Sequence, residues 1–126
     1  MPPTVLVVDD TASIRFLIRT NLELAGFDVI EAEDGQDCLE VLAALEALPG
    51  LITMDMMMPR MDGVTAITRI RADPRYADVG LVMVSTQSQQ IDLNRATAAG
   101  VDDYVTKPFD PDTLIATVRR VLESRQ

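Results

Sequence analysis

The sequence predicts an α/β domain in which a five-stranded parallel sheet is doubly wound, with helices on both faces. Three observations carry this. Short, continuously apolar runs alternate with longer stretches of helical spacing. The apolar runs are rich in β-branched residues and bounded by turn residues, as strands buried on both faces are. The alternation repeats five times within 126 residues, the pattern of (βα)5 units joined by right-handed crossovers.

The elements follow in order. Val5 to Val8 is the first buried strand. Thr11 or Ser13 can cap a helix in which Ile14, Leu17, Ile18, Leu22 and Ala25 share a stripe, and Gly26 ends it as a C′ glycine does. Phe27 to Glu31 alternates with acids and reads as a strand nearer an edge. Asp34 caps a second helix extending to about Leu48, stopped by Pro49-Gly50. Leu51 to Met54 is the third strand. Pro59 and Gly63 form a loop with Asp62 as the next cap, and Val64, Ile67 and Ile70 stripe the third helix until Asp73-Pro74 ends it. Leu81 to Val84 is the fourth strand, followed by Ser85-Thr86 and a polar loop, Gln87 to Gln90. Ile91 to Ala99 is a weak helix stopped by Gly100. Tyr104 to Thr106 is the fifth strand. Asp110 to Asp112 opens the last helix, striped by Leu114, Ile115, Val118, Val121 and Leu122.

Composition bounds the function. The length suits one domain, residues 1–126, with roughly two thirds of its extended surface buried. Hydrophobic residues make up 48% of the chain, too many for a disordered segment. A net charge of −9 argues against direct nucleic-acid binding and against docking on an anionic membrane. The sequence shows no signal peptide and no transmembrane run, so no membrane insertion is expected. The lone Cys38 excludes an internal disulfide and fits a cytoplasmic protein; its helical spacing with Val41 and Leu42 marks a buried thiol. The absence of histidine removes Ser-His-Asp and Cys-His catalysis and any phosphohistidine made on this chain.

The chemistry gathers at strand ends. In a parallel sheet, ligands bind at the carboxyl edge. Asp9 and Asp10 end the first strand, Asp55 the third, Ser85 the fourth and Lys107 the fifth. Carboxylates packed together raise one another's pKa unless a cation neutralises them, and a hard divalent ion held by oxygen is the simplest neutraliser. Each residue has a plainer reading. Asp9 and Asp10 can cap the first helix. Ser85 or Thr86 can cap the fourth. Lys107 can be a solvated lysine and Tyr104 an edge-strand aromatic. Met56, Met57, Met58 and Met61 offer soft thioethers, which suit gap-filling and partner contact rather than a hard metal site.

Taken together, Asp9-Asp10, the run Met54-Asp55-Met56-Met57-Met58-Pro59-Arg60-Met61-Asp62-Gly63, Ser85 after an apolar strand, and Lys107-Pro108-Phe109 resemble a response-regulator receiver domain. This is the phosphoacceptor module of two-component signalling, and the chain resembles its single-domain chemotaxis regulators. The resemblance spans Val5 to Leu122. It implies the flavodoxin-like strand order 2-1-3-4-5 and a cis bond before Pro108. It implies that Asp55 accepts a phosphoryl group from a partner's phosphohistidine. Asp9, Asp10, Asp55 and the backbone carbonyl of Met57 would hold Mg²⁺. Lys107 would pair with Asp55 and then with the phosphoryl oxygens. Ser85 would follow the phosphoryl group, and Tyr104 would swing inward with it.

The implied partners are a sensor histidine kinase or a histidine phosphotransfer protein, and a downstream target on the face of the fourth helix, fifth strand and last helix. The chain would not be an enzyme, since it would catalyse only its own phosphorylation and dephosphorylation. Two departures stand out. Apolar Met57 lies two residues after Asp55, beside the expected path of attacking water. Thr86 replaces a frequent alanine and would narrow access. A phosphorelay intermediate and a degenerate receiver used only for binding remain alternatives. An aspartate-nucleophile phosphatase would want an acid where Met57 stands. A flavin carrier would need a phosphate cradle that Asp9-Asp10 would repel. The chain is expected to be a single-domain regulator, with a fragment of a longer protein as the alternative.

Overall fold

The computed structural model describes residues 3–125; Met1, Pro2 and Gln126, the outermost residues of the expected domain, lie outside the described residues. The elements run β1 (Thr4–Val8), α1 (Ala12–Leu24), β2 (Asp28–Ala32), α2 (Gly35–Ala44), β3 (Leu51–Met54), α3 (Gly63–Ala72), a 3₁₀ turn (Pro74–Tyr76), β4 (Gly80–Ser85), α4 (Gln90–Ala99), β5 (Asp103–Thr106) and α5 (Pro111–Ser124). The strands form one parallel sheet in the order β2-β1-β3-β4-β5, as expected.

Alternate residues of each strand feed two cores. Leu6, Val8, Ile52, Met54, Leu81 and Met83 pack under α2, α3 and α4, with Cys38, Leu42, Ile67 and Ile70. Val5, Val7, Leu51, Val82 and Val84 face α1 and α5, meeting Ile18, Leu22, Leu114 and Val118. This two-sided burial is why the central strands read as unbroken apolar runs. β2 lies at an edge, consistent with its acids, and burial pushes the Cys38 thiol up to about 12.

Three local expectations are corrected and one turn is added. β2 starts and ends one residue later than expected. α2 stops at Ala44 rather than near Leu48, and Leu45 is extended. The side chains at 46–48 are exposed, so a further turn would have had no core to cover. A 3₁₀ turn follows α3, its Asp73 cap accepting from the Arg75 N–H. Ser85 belongs to β4 itself, and α4 is capped instead at Gln89, whose N–H donates to Asp92. The expected caps Asp34 and Asp62 form, and Asp110 caps the helix it was expected to open, accepting from the N–H groups of Asp37, Thr65 and Asp112 in turn. Gly100 ends α4 at φ +115°, a conformation that side chains resist.

Candidate functional site

Register builds the site. Val8 pairs with Met54, and the Asp55 N–H donates to the Val8 carbonyl, so Asp9 and Asp55 leave the sheet side by side. β4 runs two residues past Met83, the partner of Met54, and Ser85 pairs with Thr106. The Lys107 N–H donates to the Ser85 carbonyl, which brings Lys107 to the same edge, and the Lys107-Pro108 bond is cis. The expected site residues are thereby gathered.

Oxygens of Asp9, Asp10 and Asp55 lie within 4.8 Å of one another. Asp9 is only 1% exposed, Asp10 is exposed and Asp55 is half-buried. The Lys107 Nζ donates to Asp9 Oδ2 at 2.7 Å and stands 3.6 Å from Asp55 Oδ1. The expected pairing of Lys107 with Asp55 is present, and Asp9 takes the shorter contact. Asp9 is the more deeply buried charge, and an unpaired buried carboxylate is costly. Asp55 Oδ1 instead accepts from the Met56 N–H at 2.9 Å. Among the described residues, no hydrogen bond engages Asp55 Oδ2.

The electrostatics follow. Burial pushes the Asp55 carboxyl up from 3.8 to about 6; Lys107 opposes this, while Asp9 and Asp10 add to it. The donor set is three hard carboxylates with an excess of negative charge, which fits a hard divalent ion. A cleft of about 540 Å³ opens over these groups, lined by Asp10, Thr11, Asp55, Met57, Thr86 and Lys107 among others. Met57 is 62% exposed there, whereas Met56 and Met61 are buried in the core and Met58 packs against it. The methionines thus divide between filling and lining.

Ser85 is buried, and its Oγ accepts from the Gln87 N–H at 3.1 Å. The Tyr104 hydroxyl donates to the Gln87 carbonyl. Burial raises the Tyr104 phenol above its usual range, with the Ser85 hydroxyl acting the other way. Ser85 and Tyr104 therefore share the β4–α4 connection, as a coupled pair would require.

Sequence reasoning missed three supports. Gly63 packs flat against the end of β3: its N–H donates to the Met56 carbonyl, and an added Cβ would collide with the Asp55 carbonyl oxygen. Arg60, at φ +62°, ion-pairs with the buried Asp34 and ties the β3–α3 loop to the start of α2. Arg15 reaches back from α1 to the Asp9 carbonyl. Gly63 carried a turn signal and Arg60 stood in the run after Asp55 with no role assigned; Arg15 carried no signal.

The comparisons agree with this geometry. Residues 5–119 match the response regulator receiver domain family, and the chain belongs to it. It is 40% identical over 120 residues to the DNA-binding dual master transcriptional regulator RpaA of Synechocystis sp., covering 95% of this chain and 49% of RpaA. The chain spans about half the length of such curated relatives. Chemotaxis protein CheY4 of Vibrio cholerae superposes with a TM-score of 0.89 at 30% identity, covering 96% of this chain and 99% of CheY4. The receiver domain of sensor histidine kinase PA1611 from Pseudomonas aeruginosa, solved with a magnesium ion in its active site cleft, gives 0.88 at 25% identity, covering 98% and 99%. No helix among the described residues is long and apolar enough to cross a membrane.

Proposed function

We propose that this receiver domain is a Mg²⁺-dependent phosphoacceptor and that Asp55 is its acceptor. The observation that carries this is the state of Asp55: a half-buried carboxylate in an open cleft, one oxygen held by the Met56 N–H and the other without a hydrogen bond among the described residues, between two acids and Lys107. Asp9, Asp10, Asp55 and the Met57 carbonyl would hold the ion, which when bound supplies charge neutralisation at the phosphoryl oxygens. The magnesium of the PA1611 receiver supports the choice of metal.

The chain's own groups do the rest. The free Asp55 oxygen attacks phosphorus; the P–O bond forms as the P–N bond of a partner's phosphohistidine breaks, and the electron pair returns to the imidazole. Lys107, within 3.6 Å of Asp55, follows the growing negative charge. Ser85 gives up its Gln87 contact to donate to the phosphoryl group, and Tyr104 follows into the vacated space. The face of α4, β5 and α5 is thereby biased toward a downstream protein. No substrate is turned over, so the domain is a switch rather than an enzyme.

Under this reading it acts in the cytoplasm, beside a sensor histidine kinase or a histidine phosphotransfer protein. DNA binding, which the name of RpaA carries, is not assigned to these 126 residues, whose net charge of −9 repels a phosphate backbone.

Incubation with Mg²⁺ and a small phosphodonor, followed by intact-mass measurement, tests the proposal. A gain of about 80 Da is expected, the mass of one phosphoryl group. It should disappear in Asp55→Asn and without metal. A wild-type chain that never gains mass, with the small donor or with a histidine kinase, would falsify the acceptor role and leave a receiver used only for binding.

A further inference from the structure

We propose that Arg15 is a positioning residue for the metal-binding acids: it fixes the Asp9–Asp10 peptide from behind, while Glu31 neutralises its charge. The inference rests on the Mg²⁺ reading above and adds a residue to it. Asp9 is held at every polar atom. Its N–H donates to the Ala32 carbonyl, Oδ1 accepts from the Thr11 N–H, and Oδ2 accepts from Lys107. Its carbonyl accepts from Arg15 Nη1 at 2.8 Å. Asp10, by contrast, is exposed and its carboxylate makes no hydrogen bond among the described residues. The backbone alone sets the direction of its Cα–Cβ bond, and the Asp9 carbonyl belongs to the peptide unit that carries Asp10. Arg15 holds that peptide.

A bare guanidinium so close to a metal site would repel the ion. Glu31, at the end of β2, removes that conflict. Arg15 Nε donates to Glu31 Oε1 at 3.0 Å, and Arg19 Nη1 donates to Glu31 Oε2 at 2.6 Å. Arg19 in turn pairs with Glu23 at 3.3 Å. The four side chains sum to zero charge. The Arg15 side chain is only 15% exposed, so it is a packed strut between α1, β1 and β2 rather than a solvated cation.

Two roles give opposite signs. If Arg15 acted on the site only through its charge, removing it would tighten Mg²⁺ binding. If it orients the acids, removing it loosens binding, by the tenfold or so typical of groups that support metal ligands. A purely structural role would lower stability and leave the affinity of the folded protein unchanged.

Amide-resolved NMR titration with MgCl₂ distinguishes these, because the same spectra report folding. Arg15→Met should bind Mg²⁺ about tenfold more weakly than wild type. Arg15→Lys, which can still donate to the Asp9 carbonyl, should recover part of the loss, and it also serves should the methionine variant fail to fold. Equal or tighter binding in a folded Arg15→Met, or no recovery by lysine relative to methionine, overturns the inference while leaving the Mg²⁺ reading intact. A wild type that binds no Mg²⁺ overturns both.

Discussion

Asp55→Asn should stabilise the metal-free protein, although it removes the proposed acceptor. Burial and two neighbouring acids raise the Asp55 carboxyl from 3.8 to about 6. Its ionised form is therefore disfavoured in the folded state relative to the unfolded chain. Below about pH 4 the group is protonated in both states and costs nothing. Between about pH 4 and 6 the folded state alone retains the proton, so stability falls as pH rises through this window and levels off above it. At about 1.4 kcal/mol per pKa unit, the shift costs up to ~3 kcal/mol at pH 7.5 and ~1 kcal/mol at pH 4.5. The carboxyl is half-buried under an open cleft, so solvent screens part of this and ~3 kcal/mol is an upper bound. The asparagine amide keeps part of the burial cost, and a gain of about 1–2 kcal/mol at pH 7.5 is the working expectation. Urea unfolding followed by circular dichroism in EDTA measures it. The advantage should shrink by more than half at pH 4.5. An asparagine variant no more stable than wild type at pH 7.5, or an advantage that ignores pH, would refute the electrostatic account of the cluster.

Other outcomes follow from the packing. Gly63→Ala should cost about 2 kcal/mol or more, because the new methyl must displace the Asp55 carbonyl, and should slow phosphorylation of Asp55 at the same donor concentration; denaturant midpoints and mass kinetics read the two effects. Thr53→Val should gain about 1 kcal/mol, since the Thr53 hydroxyl, in the strand that carries Asp55, is buried without a hydrogen-bond partner among the described residues; a loss in the same denaturation series would mean that the hydroxyl is satisfied. Met57→Asn should speed decay of the acyl phosphate by giving attacking water a polar partner at the cleft rim. An unchanged decay rate would remove Met57 from the list of rate-setting residues.

Strand existence, strand ends and most caps were legible because each follows from local chemistry. β3 begins and ends where its apolar run does, and Asp34, Asp62 and Asp110 cap their helices as short acids do. The length of α2 was not legible. Its helical spacing continues past Ala44, but helix without a covering surface has little to stabilise it, and where the core stops is a tertiary fact. The second and closer partner of Lys107, Asp9, was likewise hidden. Both acids lie near Nζ, and the depth of Asp9 decides which takes the short bond.

The sequence by itself determined the α/β class, the family and the cluster of candidate site residues, because buried parallel strands need unbroken apolar runs and the acids and lysine stand at their carboxyl ends. Only the tertiary structure decided how those residues are held. Arg15 reaches Asp9 across six residues, Glu31 reaches Arg15 across sixteen, and Arg60 reaches Asp34 across twenty-six. Such contacts depend on how helices lie over the sheet, which no local spacing encodes. Gly63 looked like a turn glycine; its place against the Asp55 carbonyl, where no side chain fits, emerges only when the start of α3 is packed on the end of β3.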